Sequence, residues 1–104
     1  MRLKRLFQDP QDIRKLAEIL SLCPEVTKFD AGEDKEAWAL AHAFSDIEES
    51  ILSLTEKQLP MLIQSQLEAS EVKELLLQIG EELRHILYHI KDSKFYRYLY
   101  QEAE

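Results

Sequence analysis

The spacing of apolar side chains predicts two long helices. From residue 33 to residue 57, apolar residues recur every three or four positions, which places them on one face of an α-helix. These positions are Leu40, Phe44, Ile47, Ile51 and Leu54. A second run with the same period extends to residue 90 and consists of Val72, Leu76, Ile79, Leu83, Leu87 and Ile90. Each run is expected to turn this face towards the core.

Residues that favour helix ends predict a shorter helix near the start of the chain. Asp9 can act as its N-cap, with Pro10 at the first helical position and Asp12 in the first turn. Apolar residues at helical spacing follow, and Pro24 is expected to end the helix. This segment is therefore predicted to be amphipathic and to cover part of the longer helices.

The connections between the helices carry their own signals. Residues 25–32 break the helical period and are expected to form a loop, with Asp30 as one candidate cap for the next helix. Pro60 lacks a backbone N–H and clashes with the preceding turn, so the chain must kink or restart there. Ser70 can cap the second long helix, with Glu71 favourably placed in its first turn.

These elements predict an all-α fold. The 104 residues are expected to form a single domain, 1–104, as a compact bundle of about four to five helices with the two long ones packed antiparallel. Gly80 is expected to destabilise the second long helix by about 1 kcal/mol relative to Ala. Close packing against a neighbouring helix could offset this cost. Towards the C-terminus, Asp92 or Ser93 could cap a separate helix, or the long helix could continue; both remain open.

Acidic residues dominate the charge. The chain has 20 acids against 13 bases, a formal charge of -7, and residues 30–71 hold ten acids against Lys35 and Lys57, a local sum of -8. Such a field repels phosphate backbones and anionic membranes and attracts basic proteins. We therefore expect a basic protein as partner, and neither nucleic acid nor a membrane. An acidic surface that serves only solubility is the alternative.

Cysteine content and hydropathy indicate the compartment. Cys23 is the only cysteine, so the chain cannot form an internal disulfide. No basic segment followed by an apolar stretch and a cleavage site opens the sequence, and no run approaches the roughly 18 to 20 apolar residues that cross a bilayer. A cytoplasmic location is expected.

Each long helix carries a second face, opposite to its apolar face, with histidine, aromatic and acidic side chains. Trp38, His42, Ser45 and Glu49 share this face on the first helix, and Glu81, His85, Tyr88 and Asp92 share it on the second. Exposed aromatics of this kind are typical interface anchors. The alternative is that neighbouring segments cover them. The candidate partner-binding residues are Trp38, His42, Asp46, Glu49, Glu81, His85, Tyr88, Asp92 and Tyr96.

Two histidines one helical turn apart raise the question of a metal site. His85 and His89 have the spacing by which two imidazoles on one helix reach one zinc ion, and Glu81 or Glu82 could be a third ligand. The glutamate of the HExxH motif is missing between them, however, and no further cysteine or histidine is placed to close the site. The sequence therefore predicts neither a metal site nor a cofactor.

Catalytic chemistry is not indicated. His42, Ser45 and Asp46 are residue types used in nucleophilic catalysis, but they lie on one predicted helix without an oxyanion-binding loop. The sequence also lacks a glycine-rich loop that could hold phosphate. We therefore expect a protein that is not an enzyme.

Two segments carry a resemblance to a known group of proteins. They are FSDIEESILSLTEKQLPML, residues 44–62, and LLLQIGEELRHILYHIKDSKFYRYL, residues 75–99. In general character they resemble the small, acidic, all-helical immunity proteins of bacterial contact-dependent inhibition and related polymorphic toxin systems. The resemblance implies a cytosolic inhibitor that binds a toxin domain, frequently a basic nuclease, and blocks its active site. It assigns no individual functional residue.

The functional prediction combines this resemblance with the charge pattern. Asp46, Glu49, Glu81 and Asp92 are expected to attract a basic cleft, and Trp38, Tyr88 and Tyr96 are expected to pack at its rim. The first alternative is a self-associating helical protein, a homodimer that buries these faces. The second is a protein that binds a metal ion through its histidines.

Overall fold

The computed structural model describes residues 5–64 and 66–103. They form six α-helices, which are α1 (Pro10–Leu20), α2 (Pro24–Thr27), α3 (Glu36–Ser53), α4 (Leu59–Gln64), α5 (Ala69–Asp92) and α6 (Lys94–Ala103). A π-helical turn, Leu54–Gln58, joins α3 to α4 without a break, so the described chain has five helical segments. The predicted all-α class is confirmed, with α3 and α5 as the two long helices.

Helix α1 begins as predicted. The Asp9 carboxylate accepts a hydrogen bond from the Gln11 N–H at 2.7 Å, and the Asp12 carboxylate accepts one from the Asp9 N–H at 3.2 Å. The predicted end at Pro24 is wrong, because α1 already ends at Leu20 and Pro24 instead begins α2. Proline is favourable at the first position of a helix, where its missing N–H would have no helical partner.

The predicted loop 25–32 is therefore partly wrong, since its first residues belong to α2. This single turn is stabilised by burial of Val26, which is only 2 % exposed. A tight turn around Gly32, with φ 59°, then leads to α3. The N-cap residue of α3 is Lys35 rather than Asp30, but the Asp30 side chain still satisfies the start of the helix, because its Oδ1 accepts a hydrogen bond from the Glu36 N–H at 2.8 Å.

The irregularity expected at Pro60 lies in the turn before it. Helix α3 ends at Ser53 rather than at Lys57, and the Leu59 N–H donates to the Leu54 carbonyl, five residues earlier. Proline cannot donate a backbone hydrogen bond, and a π-helical turn is one way to pass such a residue without ending the helix. The chain continues into α4 without a break in helical conformation.

Helices α3 and α5 run antiparallel, as predicted. Contacts between them join the start of α3 to the end of α5, and the end of α3 with the following π-helical turn to the middle of α5. They pair Glu36 with Ser93, Asp46 with His89, Ser50 with His85, and Gln58 with Glu82. Helix α1 packs along α3 on a different side and is also antiparallel, since the residues before α1 bond to Glu48 whereas Leu20 reaches the core near Leu40.

The core lies at the N-terminal end of α3. Val26, Ala37 and Leu40 are its buried centre, and the partly buried side chains around them are Leu20, Cys23, Phe44, Phe95 and Tyr96. Elsewhere the buried apolar residues of the described chain are Ala17, Ala41, Ala43 and Leu75. Small side chains thus fill much of the contact between α1 and α3 and bring these helices close together.

The side of α5 that is predicted to face the core is wrong. The buried side is rotated from it by part of a helical turn. Leu76, Leu83 and Leu87, assigned to the core from their spacing, are 55 %, 53 % and 48 % exposed. The side of α5 that faces the interior instead contains Leu75, which is 5 % exposed. The predicted core residue Ile51 of α3 is also 41 % exposed.

The ends of α5 also differ in part from the prediction. Glu68, rather than Ser70, caps it in a reciprocal pair with Glu71, whose side chain accepts from the Glu68 N–H at 3.0 Å. At the other end the chain leaves the helical conformation at Ser93, and α6 is a separate helix. The Ser93 hydroxyl accepts a hydrogen bond from the Tyr96 N–H at 3.2 Å and so caps α6.

Two further findings concern Gly80 and the membrane. A Cβ at Gly80 would meet no atom within 4 Å, so the predicted helix crossing at this residue is not present in the described chain. Among the described residues, no helix combines the length and the apolar character that spanning a bilayer requires.

Candidate functional site: the polar junction of α3 and α5

Polar side chains make several of the contacts between α3 and α5. Ser50 of α3, which is 2 % exposed, places its Oγ 2.8 Å from Nδ1 of His85. Nearer the start of α3, the buried Glu36 carboxylate accepts hydrogen bonds from the Ser93 hydroxyl at 3.3 Å and the Phe95 N–H at 2.9 Å. Buried polar groups need such partners, so these pairs fix the register of the two helices.

Three potential metal ligands meet in the middle of this contact, and we call them the histidine cluster: Asp46, His85 and His89. The two Nε2 atoms lie 3.1 Å apart, and Nε2 of His89 lies 3.3 Å from Oδ2 of Asp46. All three ligand atoms lie within 4.8 Å of one another. The side chain of His89 is 16 % exposed and that of Asp46 is 49 % exposed, so the cluster is open to solvent on one side.

The third member of the cluster differs from the ligands considered in the sequence. Glu81 pairs with Arg84 on the exposed side of α5, at 2.6 Å, and Glu82 accepts from the Gln58 side chain at 3.5 Å. Neither carboxylate reaches the histidines, whereas Asp46 approaches from the other helix. The signal in the sequence was the i, i+4 spacing of Asp46 and Ser50, which puts both on one side of α3 and matches the spacing of the two histidines.

The candidate partner-binding residues lie mostly on one side of the α3 and α5 pair. We call this side the acid-aromatic face. It comprises Trp38, His42, Asp46 and Glu49 of α3 and Glu81, His85, Tyr88 and Asp92 of α5. All are exposed except Asp46, which is half-buried. Trp38 and Tyr88 are 44 % and 59 % exposed, so neither is covered by another segment of the described chain.

A groove of about 330 Å³ crosses one end of this face. Its lining includes Trp38 of α3 and His89 and Asp92 of α5. The Trp38 ring packs against His42 in an edge-on arrangement, with centroids 4.6 Å apart, and Tyr88 packs similarly on His89 at 5.4 Å. The aromatic and acidic parts of the face are therefore joined through the histidines.

The acids of the face are not equivalent. The Glu81 carboxylate hydrogen-bonds to the exposed Arg84 side chain, and this bond together with its charge raises the pKa of the Arg84 guanidinium. The pair is nearly neutral from a distance, so Glu81 contributes less to an attractive field than its position suggested. Glu49 and Asp92 are exposed on the same face.

Two residues of the predicted faces lie elsewhere. Tyr96 packs against Phe44 and Phe95, with ring centroids 6.3 Å and 5.5 Å away, and belongs to the edge of the core. Its burial, with a smaller effect from Tyr100, raises the pKa of its phenol above 10.0. Ser45, expected on the outward face of α3, is 9 % exposed because this side of the helix meets α1.

No protein-family model, curated protein or solved structure matches this chain.

Proposed function

We propose that this protein binds and inhibits a basic protein through its acid-aromatic face, in the manner of an immunity protein that neutralises a toxin domain. The observation that carries the proposal is the exposure of Trp38 and Tyr88 on the same side as Glu49 and Asp92. Large exposed aromatics beside carboxylates provide both parts of a tight interface. The aromatics supply buried contact area, and the carboxylates supply attraction and orientation.

The groove beside Trp38 supports a cationic partner in particular. Its lining contains four acids and two lysines, which are Glu33, Asp34, Glu36 and Asp92 against Lys35 and Lys94. Because the acids outnumber the bases, an inserted arginine or lysine would meet carboxylates and could stack on the indole ring. A volume of about 330 Å³ is enough for one long side chain. An inhibitor of a nuclease benefits from such a site, because the basic cleft that holds phosphate is then occupied by carboxylates.

Growth protection tests the proposal. The chain encoded by the reading frame immediately upstream would be expressed in bacteria with and without this protein. We expect growth arrest that the wild type relieves and that a four-site variant does not. This face variant carries Trp38→Ala, Glu49→Lys, Tyr88→Ala and Asp92→Lys. Failure of the wild-type protein to relieve the arrest would contradict the proposal.

A control variant separates local from general charge effects. Glu18→Lys and Glu74→Lys change the net charge by the same amount as the two charge reversals of the face variant, but they lie on α1 and at the far end of α5. Both residues are exposed, so neither substitution removes a core contact. Protection is expected to persist in this control, and its loss would mean that only overall charge matters.

A second candidate function is self-association through the exposed apolar stripe of α5, which consists of Leu76, Leu83 and Leu87 around Gly80. These three side chains are 55 %, 53 % and 48 % exposed, and apolar side chains that are exposed together on one side of a helix favour a partner surface. Gly80, with open space above it, would allow two copies of α5 to approach closely.

This stripe is a different surface from the one assigned to a homodimer in the sequence. Leu83 and Tyr88 are separated by about 140° around α5 at 100° per residue. Sedimentation at micromolar concentration would show a dimer in the wild type and a monomer in Leu83→Glu. A monomeric wild type would eliminate this candidate without affecting the inhibitor proposal.

A further inference from the structure

The histidine cluster combines side chains from two helices that meet only in the folded protein. His85 and His89 are one turn apart on α5, and Asp46 comes from α3. Their ligand atoms converge, with separations of 3.1 Å between the two Nε2 atoms and 3.3 Å between Nε2 of His89 and Oδ2 of Asp46. This arrangement is independent of the apolar stripe and does not require a protein partner.

We infer that the histidine cluster is a binding site for a divalent transition-metal ion, with Zn²⁺ as the expected ligand. A tetrahedral zinc ion with bonds of about 2.0–2.1 Å holds its ligand atoms about 3.3–3.4 Å apart. The two separations above match this spacing closely. Asp46 needs only a small side-chain rotation to bring its oxygen equally close to His85, since all three atoms already lie within 4.8 Å and the Asp46 side chain is partly exposed.

Ser50 fixes the orientation of one ligand. Its buried Oγ lies 2.8 Å from Nδ1 of His85. When this nitrogen carries the proton and donates to the serine oxygen, the lone pair of Nε2 points into the cluster. Metal-binding histidines commonly have such a partner on the other ring nitrogen, and it sets the tautomer. Ser50 is therefore assigned a positioning role.

The donor set selects the class of ion. Two imidazole nitrogens and one carboxylate suit zinc and other late transition metals, whereas calcium and magnesium prefer sites made of oxygen. Three protein ligands leave a fourth position for water on the exposed side of the cluster. Because the ligands come from α3 and α5, the ion would also join the two helices.

Calorimetric titration of the metal-free protein with ZnCl₂ tests the inference. We expect one ion per chain in the wild type, and an affinity about 10- to 100-fold lower in Ser50→Ala. The loss is expected to be larger in His85→Ala and His89→Ala. The matched control is His42→Ala, which removes the one histidine outside the cluster and should leave the affinity unchanged.

Two further measurements distinguish a built site from scattered surface binding. Zinc at about 100 times its dissociation constant should raise the Tm of the wild type by roughly 10 °C, and it should leave that of His85→Ala unchanged. His85 is exposed, so this variant is expected to fold. Co²⁺ should give the visible absorption of a tetrahedral site in the wild type and in His42→Ala. Equal zinc affinity in His85→Ala, His89→Ala and the wild type, or no bound ion in the wild type, would overturn the inference.

Discussion

Replacing Glu36 by alanine should destabilise the protein more than any exposed acid would. Glu36 is 6 % exposed, and its carboxylate accepts hydrogen bonds from the Ser93 hydroxyl and the Phe95 N–H. Hydrogen bonds to a charged group contribute about 1.5–3 kcal/mol each. Glu36→Ala removes both hydrogen bonds, but it also removes the cost of burying a carboxylate. The expected net decrease in the free energy of unfolding is about 2–4 kcal/mol.

Urea unfolding followed by circular dichroism measures this change. With a slope of about 1–3 kcal/mol per molar urea, the midpoint should fall by about 1–2 M at constant slope. Glu36→Gln keeps an oxygen acceptor of the same reach and should lose about half as much or less. Glu33→Ala, an exposed acid three residues earlier, should stay within about 0.5 kcal/mol of the wild type. A midpoint for Glu36→Ala equal to that of Glu33→Ala would refute the role given to this carboxylate.

Three other outcomes are expected. Asp30→Ala should cost about 1 kcal/mol of stability in urea unfolding, and Asp30→Asn should cost less, because the amide oxygen can still accept the hydrogen bond from the Glu36 N–H. The raised pKa of Tyr96 means that the folded state holds the phenolic proton more tightly than the unfolded state does. The stability that this proton contributes is complete below pH 10.0 and is lost as the pH rises through the pKa of Tyr96 in the folded state. Tyr96→Phe should therefore lose less stability than the wild type in thermal unfolding between pH 9 and pH 11. Leu87→Lys should leave the Tm of the monomer within a few degrees, since Leu87 is 48 % exposed, and a large drop in the Tm of the monomer would mean that the stripe is part of the core.

The sequence predicted features that depend on local chemistry. The Asp9 cap, Pro10 at the first helical position and the interruption near Pro60 follow from the hydrogen-bonding capacity of single residues. The helical class followed from the period of the apolar residues. The role of Pro24 does not follow from the sequence alone, because proline disfavours the interior of a helix but favours its first turn, and here it begins α2.

The orientation of α5 could not be predicted from hydrophobic period. This helix has two adjacent apolar stripes, one that includes Leu75 and one that includes Leu83. Which stripe turns inward depends on the partner surface, and the side of α3 that faces α5 carries polar groups such as Asp46 and Ser50. Helix α5 is therefore oriented so that these groups contact their partners His89 and His85. The spacing of apolar residues does not indicate this stabilisation.

The same rotation explains why the candidate site was only partly anticipated. The partner-binding face was assigned from residues opposite the apolar stripe, and most of these are exposed. Tyr96 is expected from the sequence to pack at the rim of a partner's cleft, but the break at Ser93 starts a new helix and turns that ring towards Phe44. Asp46 joined the histidines only through the tertiary contact.

The most direct test of the central claim is the affinity for the protein encoded immediately upstream, measured by titration calorimetry at two salt concentrations. The claim is that the acid-aromatic face binds a basic partner. It predicts a one-to-one complex with the wild type, weakened by added salt, and an affinity at least about 100-fold lower for the face variant Trp38→Ala, Glu49→Lys, Tyr88→Ala and Asp92→Lys. Equal affinity of the wild type and the face variant would contradict it.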